Sequence, residues 1–180
     1  MDTLQAIAAR KSSRDYRAEA VEDNKLDIVA KAAQQGPKAG EFQISVIVNR
    51  DVLKEINDLA LAGMKNSGND FLMSRAALPG YQPLYGAPAL LVFSGPDSNP
   101  YAQANASCAA TTAGLAATAL GLASCYVVTP CLALNPDPAL RKRCGIPDGF
   151  AAHCGLLVGY AAGDKFTAPF QALDNINYCR

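Results

Sequence analysis

The chain has 180 residues and a mass of 18.8 kDa, a length that predicts one domain over residues 1–180. Half of its residues are apolar and 18% are charged, which excludes a disordered polyampholyte. Sixteen Lys and Arg balance sixteen Asp and Glu. The chain therefore lacks the basic excess that general nucleic-acid binding requires.

Residues 98–136 contain no charged side chain. They are rich in Ala, Ser, Thr and Gly, whereas a membrane span needs about 20 strongly apolar residues. We therefore expect a buried helix followed by a strand. The first 14 residues lack the basic start and apolar stretch of a signal peptide, so we expect a cytoplasmic protein.

Six cysteines occur, at positions 108, 125, 131, 144, 154 and 179. Their spacing matches no zinc signature. The single histidine, His153, adjoins Cys154, but neighbouring side chains on a strand point to opposite faces. We expect reduced, mostly buried thiols and no metal site.

Periodicity and chain-breaking residues predict alternating helices and strands. The first helix is capped by Asp2 or Thr3 and has Leu4, Ile7 and Ala8 on one face, and the second runs from Asp23 to the Gly36–Pro37 break. A strand over Gln43–Val48 precedes a third helix, which is capped by Asp51 and carries Leu53, Ile56, Leu59 and Ala60. After an irregular segment over Met64–Pro88 come a strand over Ala89–Phe93, a helix over Tyr101–Leu120, a strand over Ser124–Thr129, a short helix over Pro138–Cys144 and a strand over Leu156–Tyr160. Periodicity alone favours a parallel doubly wound sheet. Neither a G-x-G-x-x-G nor a G-x-x-x-x-G-K-[ST] nucleotide motif is found.

The loop after the first helix carries three cations and two hydroxyls within residues 10–14. Arg10 and Arg14 offer forked donors that suit phosphate or a planar carbonyl edge. Ser12 and Ser13 can donate to phosphate or sugar hydroxyl oxygens. The alternative from composition is a solvated loop with weak surface ion pairs.

Five blocks in this order resemble the nitroreductase family of FMN-dependent oxidoreductases. They are RKSSRDY over residues 10–16, GPKAGEFQ over 36–43, APALLV over 87–92, ALGLASC over 119–125, and GIPDG with LVGY over 145–149 and 157–160. The resemblance implies an α+β fold with a mostly antiparallel sheet flanked by helices. It also implies a homodimer that holds two FMN molecules at the subunit interface, and it replaces the parallel sheet as our expectation.

The resemblance also implies roles for single residues. Arg10, Lys11 and Ser12 would bind the FMN phosphate and ribityl chain, Arg14 would face the pyrimidine edge, and Asn69 would contact the ring. Pro37, Lys38 and Ala39 would approach from the partner subunit, while the turn of Gly121, Leu122, Ala123 and Ser124 would offer backbone N–H groups to the N5 and O4 side. No protein residue is expected to be catalytic, because the flavin itself carries the hydride.

Three features depart from the family pattern. Lys38 stands where the family has Ser, and Glu41 stands where it has Asn. The tail over Thr167–Asn177 lacks Lys and Arg, so Lys165 and Arg180 are the candidates to complete the phosphate site. A negative charge at Glu41 would oppose an anionic reduced flavin unless Lys38 or Arg14 pairs with it.

The large apolar residues of the irregular segment include Phe71, Leu72, Met73, Tyr81 and Tyr85. We expect it to cover the flavin and select flat acceptors; a hydrophobic strap packed on the core or on the partner is an equal alternative. The predicted function is hydride transfer from NAD(P)H through FMN to nitroaromatic, quinone or enone acceptors by a ping-pong mechanism. The alternatives are a flavin-binding redox sensor of the same fold and a non-catalytic dimeric interaction protein.

Overall fold

The computed structural model describes residues 1–163, 165 and 173–179. The helices are α1 (Thr3–Ala9), α2 (Asp23–Ala33), α3 (Arg50–Lys65), α4 (Asp70–Ala76), α5 (Ala102–Ala119), α6 (Pro130–Leu134) and α7 (Pro138–Arg143). The strands are β1 (Gln43–Ile47), β2 (Ala89–Pro96), β3 (Ala123–Val127) and β4 (Phe150–Gly159).

The four strands form one sheet in the order β1-β2-β4-β3. Each neighbouring pair is antiparallel, so the parallel sheet favoured by periodicity alone is wrong. The α+β fold with an antiparallel sheet, implied by the family resemblance, is confirmed. Alternation of helices and strands does not give strand direction. The two central strands, β2 and β4, are distant in sequence and pair in opposite directions.

Helices cover both faces of the sheet. On one face Leu91 and Phe93 of β2 pack with α2 and α5. On the other face Leu90 and Val92 pack with Ile56 of α3 and with α6 and α7. All four β2 side chains are fully buried, which explains why this strand is continuously apolar rather than alternating.

Small residues allow α5 to pack closely between the sheet and α2. Its eight buried residues are all Ala, Gly or Asn, so its backbone can approach its neighbours more closely than a Leu-rich helix could. This buried helix, followed by β3, confirms the expectation for the charge-free segment. Within the described chain, no helix is both long and apolar enough to cross a bilayer.

Several predicted boundaries are wrong. The helix α3 is capped by Asn49, whose side-chain oxygen accepts from the backbone N–H groups of Asp51 and Val52, so Asp51 lies in the first turn instead. The segment called irregular contains the end of α3 and all of α4. On α1, Leu4 and Ile7 are exposed rather than packed on the core of their own chain.

The final strand begins six residues earlier than predicted, at Phe150. Its first half contains Ala151 and Ala152, and Ala is a weak strand former. The strand is held there by Asn135, whose side chain donates to the Ala152 carbonyl at 3.0 Å and accepts from its N–H at 2.8 Å. Asn135 directly follows α6, a five-residue helix that periodicity does not reveal.

The cysteines are free thiols, and three of the six are buried. His153 approaches the carbonyl of Gly95 on β2, while Cys154 points into the core. Among the described residues no group of three or more His, Cys, Asp or Glu could hold a metal ion.

A polar triad of the exposed Glu22 and the half-buried Lys25 and Tyr160 joins the start of α2 to the end of β4. Glu22 accepts hydrogen bonds from the Lys25 ammonium at 2.8 Å and from the Tyr160 hydroxyl at 2.5 Å. Lys25 also donates to the Tyr160 hydroxyl at 2.7 Å. Hydrogen bonds from Lys25 and then Tyr160 lower the pKa of Glu22 from 4.5 to about 2.

We predict that Glu22→Gln lowers the melting temperature at pH 7 and that this deficit disappears in acid. A carboxylate whose pKa is lower in the folded chain stabilises above its unfolded pKa and loses that contribution as pH falls from about 4.5 to about 2. Thermal unfolding followed by circular dichroism between pH 7 and pH 2 measures the difference. Glu19→Gln is the matched control, and a deficit of constant size across this pH range would contradict the assignment.

Candidate functional site

The predicted cofactor loop is fixed by backbone pairing with the ends of two strands. The Ser13 N–H donates to the Ser124 carbonyl at 2.9 Å, and Ser12 forms a parallel bridge with Ser124. Further along, the Arg17 N–H donates to the Tyr160 carbonyl at 2.9 Å. The loop therefore extends the sheet at β3 and β4 and is not a freely solvated loop.

This pairing brings the first and fourth sequence blocks together. A cleft of about 170 Å³ lies between Lys11 and Ser13 on one side and Gly121–Ser124 on the other. Gly121 has a φ of +74°, a left-handed conformation that glycine adopts without strain. The turn from α5 into β3 can therefore reverse beside the cationic loop.

Arg14 lines a second cleft of about 180 Å³, together with Gln82, Tyr85 and Lys165. Gln82 and Tyr85 were not among the predicted cofactor residues, because neither belongs to a recognisable motif. Of the two candidate tail cations, Lys165 lies in this cleft. Arg180 and residues 167–172 lie outside the described residues.

Two buried polar groups lie beneath Arg14. Burial raises the pKa of the Cys125 thiol, while the Arg14 guanidinium and a hydrogen bond with Ser12 act in the opposite direction. Burial likewise raises the pKa of Tyr16. The Tyr16 hydroxyl is buried without a hydrogen-bond partner among the described residues. Two neutral polar groups are therefore buried close to Arg14, at a cleft whose charged lining residues are Arg14, Asp15 and Lys165.

The segment before β2 packs on its own chain through part of its length. Tyr81 and Ala76 are buried with Met64 of α3, and the Tyr81 and Tyr85 rings meet edge to face at 5.7 Å between centroids. Tyr85 has a φ of +51°, the one non-glycine residue with positive φ in the described chain. Such strain is concentrated at functional sites. In contrast, Phe71 on α4 is 70% exposed.

The predicted turn at Pro37–Ala39 lies beside the other end of α5. The Ala39 N–H donates to the Asn105 side chain at 3.0 Å, and the Asn105 and Asn99 amides both donate to the Ala39 carbonyl. Thr118, by contrast, lines the cleft beside Lys11. At 1.5 Å per residue, Asn105 and Thr118 are about 20 Å apart along the helix, so one chain does not unite the two halves of the predicted site.

The structure also gives the positions of Asn69, a predicted flavin contact, and of Lys38 and Glu41, which differ from the family pattern. The Lys38 ammonium donates to the Gln34 carbonyl at the end of α2, at 2.8 Å. Glu41 is exposed. The Asn69 side chain caps α4 by accepting from the Leu72 N–H at 3.1 Å; its contact with a flavin ring stays a prediction.

Comparison with known proteins decides the family. Residues 7–160 match the sequence model of the nitroreductase family. The chain belongs to the nitroreductase family. The identification made from the five sequence blocks is thereby confirmed, and the matched range includes the Arg10–Arg14 loop and both central strands of this nitroreductase-family chain.

Solved structures agree with this assignment. A nitroreductase from Desulfitobacterium hafniense, solved with bound FMN, is 29% identical over the full length of both chains, with a TM-score of 0.89. A Bacteroides fragilis nitroreductase with bound FMN shares the fold at 24% identity over both full chains and a TM-score of 0.87. Iodotyrosine deiodinase, bound to FMN and 3-iodo-L-tyrosine, shares it at 17% identity over 99% of this chain and 98% of its own, with a TM-score of 0.75. A search of curated proteins found no match.

The turn at Gly36 packs so closely on α5 that a methyl group there should have the opposite effect on stability from one at Gly114. A Cβ atom at Gly36 would lie 3.0–3.1 Å from backbone atoms of Cys108 and Ala109, whereas one at Gly114 would find its nearest neighbour, the Ser124 hydroxyl, at 3.5 Å. We expect Gly36→Ala to lower the free energy of unfolding by about 1–2 kcal/mol through overpacking. Gly114→Ala should raise it by up to about 1 kcal/mol, since Ala is the better helix former.

Urea unfolding of the two variants measures these free energies. The opposite signs make each variant the control for the other, because both add one methyl group, Gly36→Ala in the turn that packs on α5 and Gly114→Ala within α5 itself. Equal effects, or a stabilised Gly36→Ala variant, would contradict the close approach of the turn to the helix.

Proposed function

We propose that this nitroreductase-family protein is an FMN-dependent oxidoreductase that transfers hydride from NAD(P)H to a nitroaromatic, quinone or enone acceptor. The observation that carries the proposal is the backbone pairing of residues 12 and 13 with Ser124. It holds the cationic loop beside the Gly121–Ser124 turn. Relatives of the same fold were solved with bound FMN.

The residues present fit FMN. A dianionic phosphate needs several donors and positive charge, and Arg10, Lys11 and Ser12 supply guanidinium, ammonium and hydroxyl groups on consecutive positions. Arg14 and Gln82 line the neighbouring cleft. Their N–H groups can donate to the carbonyl oxygens of the pyrimidine edge, and the Gln82 side-chain carbonyl can accept from its N–H. The two clefts flank one loop, as an elongated ligand with one anionic end requires.

The protein's chemical contribution is electrostatic. When bound, FMN supplies the hydride chemistry, accepting from NAD(P)H and donating to the second substrate in a ping-pong cycle. Arg14 would hold a fixed positive charge beside the pyrimidine edge, where it stabilises the negative charge that two-electron reduction places there. Backbone N–H groups of the Gly121–Ser124 turn would donate toward the N5 and O4 side. No protein nucleophile is required.

A second copy of the chain would complete the site. The Pro37–Ala39 turn and the Arg10–Arg14 loop lie near opposite ends of α5, so a partner whose α5 ran in the opposite direction would bring its turn to this loop. Exposed apolar side chains support a partner surface on the same side of the molecule: Leu4 and Ile7 on α1, which contacts α5, and Tyr126, whose hydroxyl lies 3.2 Å from that of Ser107 on α5. This arrangement accounts for an apolar face on α1 that its own core leaves uncovered.

Substrate selection would depend on residues from both chains. Phe71, exposed on α4, and Tyr85, which lines the cleft beside Arg14, would contact flat acceptors. Lys38 and Glu41 both belong to the approaching segment, so it would bring one positive and one negative charge and no net charge toward the flavin. We therefore expect Glu41 to leave FMN binding intact.

We predict that Arg14→Ala weakens FMN binding by about tenfold to a hundredfold, the usual effect of losing one hydrogen bond to a charged group. It should also lower the flavin reduction potential, because the reduced form loses a stabilising charge. Equilibrium dialysis gives the affinity, and spectroelectrochemical titration gives the potential.

Arg17→Ala is the matched control, since the exposed Arg17 guanidinium reaches only the Ala161 carbonyl among the described residues. Unchanged affinity and potential in Arg14→Ala would remove Arg14 from the site. A colourless purified protein that takes up no added FMN would overturn the proposed function as a whole. Yellow protein that oxidises neither NADH nor NADPH with any acceptor would indicate the redox-sensor alternative.

A further inference from the structure

A cleft of about 330 Å³ lies between the first half of α3 and residues 82–88 and adjoins the proposed flavin site at Gln82. Its apolar floor consists of Leu53, Leu84 and Ala87, each of which is 3–7% exposed. The volume lies at the lower end of the range for small-molecule sites, which begins at about 300 Å³. The cleft is therefore large enough for a small ligand with an apolar body.

One end of the cleft carries positive charge. The exposed Arg50 guanidinium lines it, and its only hydrogen bond within the described chain is a long one, 3.5 Å, to the Ala18 carbonyl. No carboxylate among the described residues lies within ion-pair distance of it. Asp51 is adjacent in sequence, but consecutive side chains on a helix do not face each other.

The other charges lining the cleft cancel. The Lys54 ammonium pairs with the Asp58 carboxylate at 2.6 Å, which leaves Arg50 as the uncompensated charge. Arg50 is the first residue of the 16-residue helix α3, whose N-terminal dipole adds to the positive potential. The cleft thus joins an apolar floor to a single cationic end.

We propose that this cleft binds a small anion with an apolar body, of the aromatic carboxylate or sulfonate class. The ring would lie on Leu53, Leu84 and Ala87, and the anionic group would accept a forked hydrogen bond from Arg50. None of the twelve predicted cofactor residues lines this cleft. Gln82 lines both this cleft and the one beside Arg14, so the two sites share one wall and are otherwise separate.

Naphthalene-2-sulfonate is the probe, added to the FMN-saturated protein. Protein-observed methyl NMR should give saturable shifts of the Leu53, Leu84 and Ala87 methyl groups. We expect Arg50→Gln to weaken binding by about tenfold or more, the effect of losing one charge-assisted contact. Ala18→Phe, at an exposed position that lines the cleft, should abolish the shifts by filling it.

Lys142→Gln is the matched control, because it removes one positive charge from an exposed position on α7 and does not line the cleft. It should bind the probe like the natural chain. Unshifted methyl groups at saturating probe, or equal affinity in Arg50→Gln, would overturn the proposal. Because the readout is the cleft's own methyl groups, either result stands regardless of whether the protein reduces any acceptor.

Discussion

The hydrogen bond from the Ser13 N–H to the Ser124 carbonyl connects two segments that are more than one hundred residues apart. Through it, the loop after α1 becomes an extension of the sheet beside β3. Without that pairing, Arg10, Lys11 and Arg14 would be ordinary surface cations, whose interactions contribute little in water. With it, Lys11 lines the cleft at the Gly121 turn, and Arg14 lines the neighbouring cleft close to the buried Tyr16 and Cys125. The chemistry of the site depends on this backbone contact more than on any single side chain.

The helix α5 imposes the second constraint. Its small buried residues admit the close approach of Gly36 at one position and of Ser124 and Arg10 near another. Because the helix is rigid, it also keeps Asn105, which binds the Pro37–Ala39 turn, about 20 Å along its axis from Thr118, which lines the cleft beside Lys11. The same element therefore builds both halves of the predicted site and prevents one chain from joining them, which gives dimerisation a direct role in the proposed function.

Sequence reasoning found what local patterns encode. The core positions Ile56, Leu90 and Val92 followed from apolar runs, and the Arg10–Arg14 loop followed from its composition and its family pattern. It did not find Gln82 beside Arg14, because Gln82 reaches that cleft through tertiary packing. It named Tyr85 only as part of a segment expected to cover the flavin, since the left-handed backbone conformation at Tyr85 is not visible in a local pattern. It placed β4 too late because the first half of that strand is held by Asn135 rather than by its own β propensity. Periodicity also does not give the direction of the strands, and only the family resemblance indicated an antiparallel sheet.

Mixed dimers provide the most direct measurement of a site shared between two chains. One chain carries Arg14→Ala, and the other carries Gly36→Ala, whose added methyl group overpacks against α5 and displaces the adjoining Pro37–Ala39 turn that would approach the flavin. Two different affinity tags isolate the mixed species for measurement of bound FMN by absorbance. A shared site places both defects in one pocket and leaves the other pocket intact, so the account predicts that half of the pockets bind FMN with the affinity of the unaltered protein. Mixed dimers that bind FMN as weakly as both parent variants would contradict it.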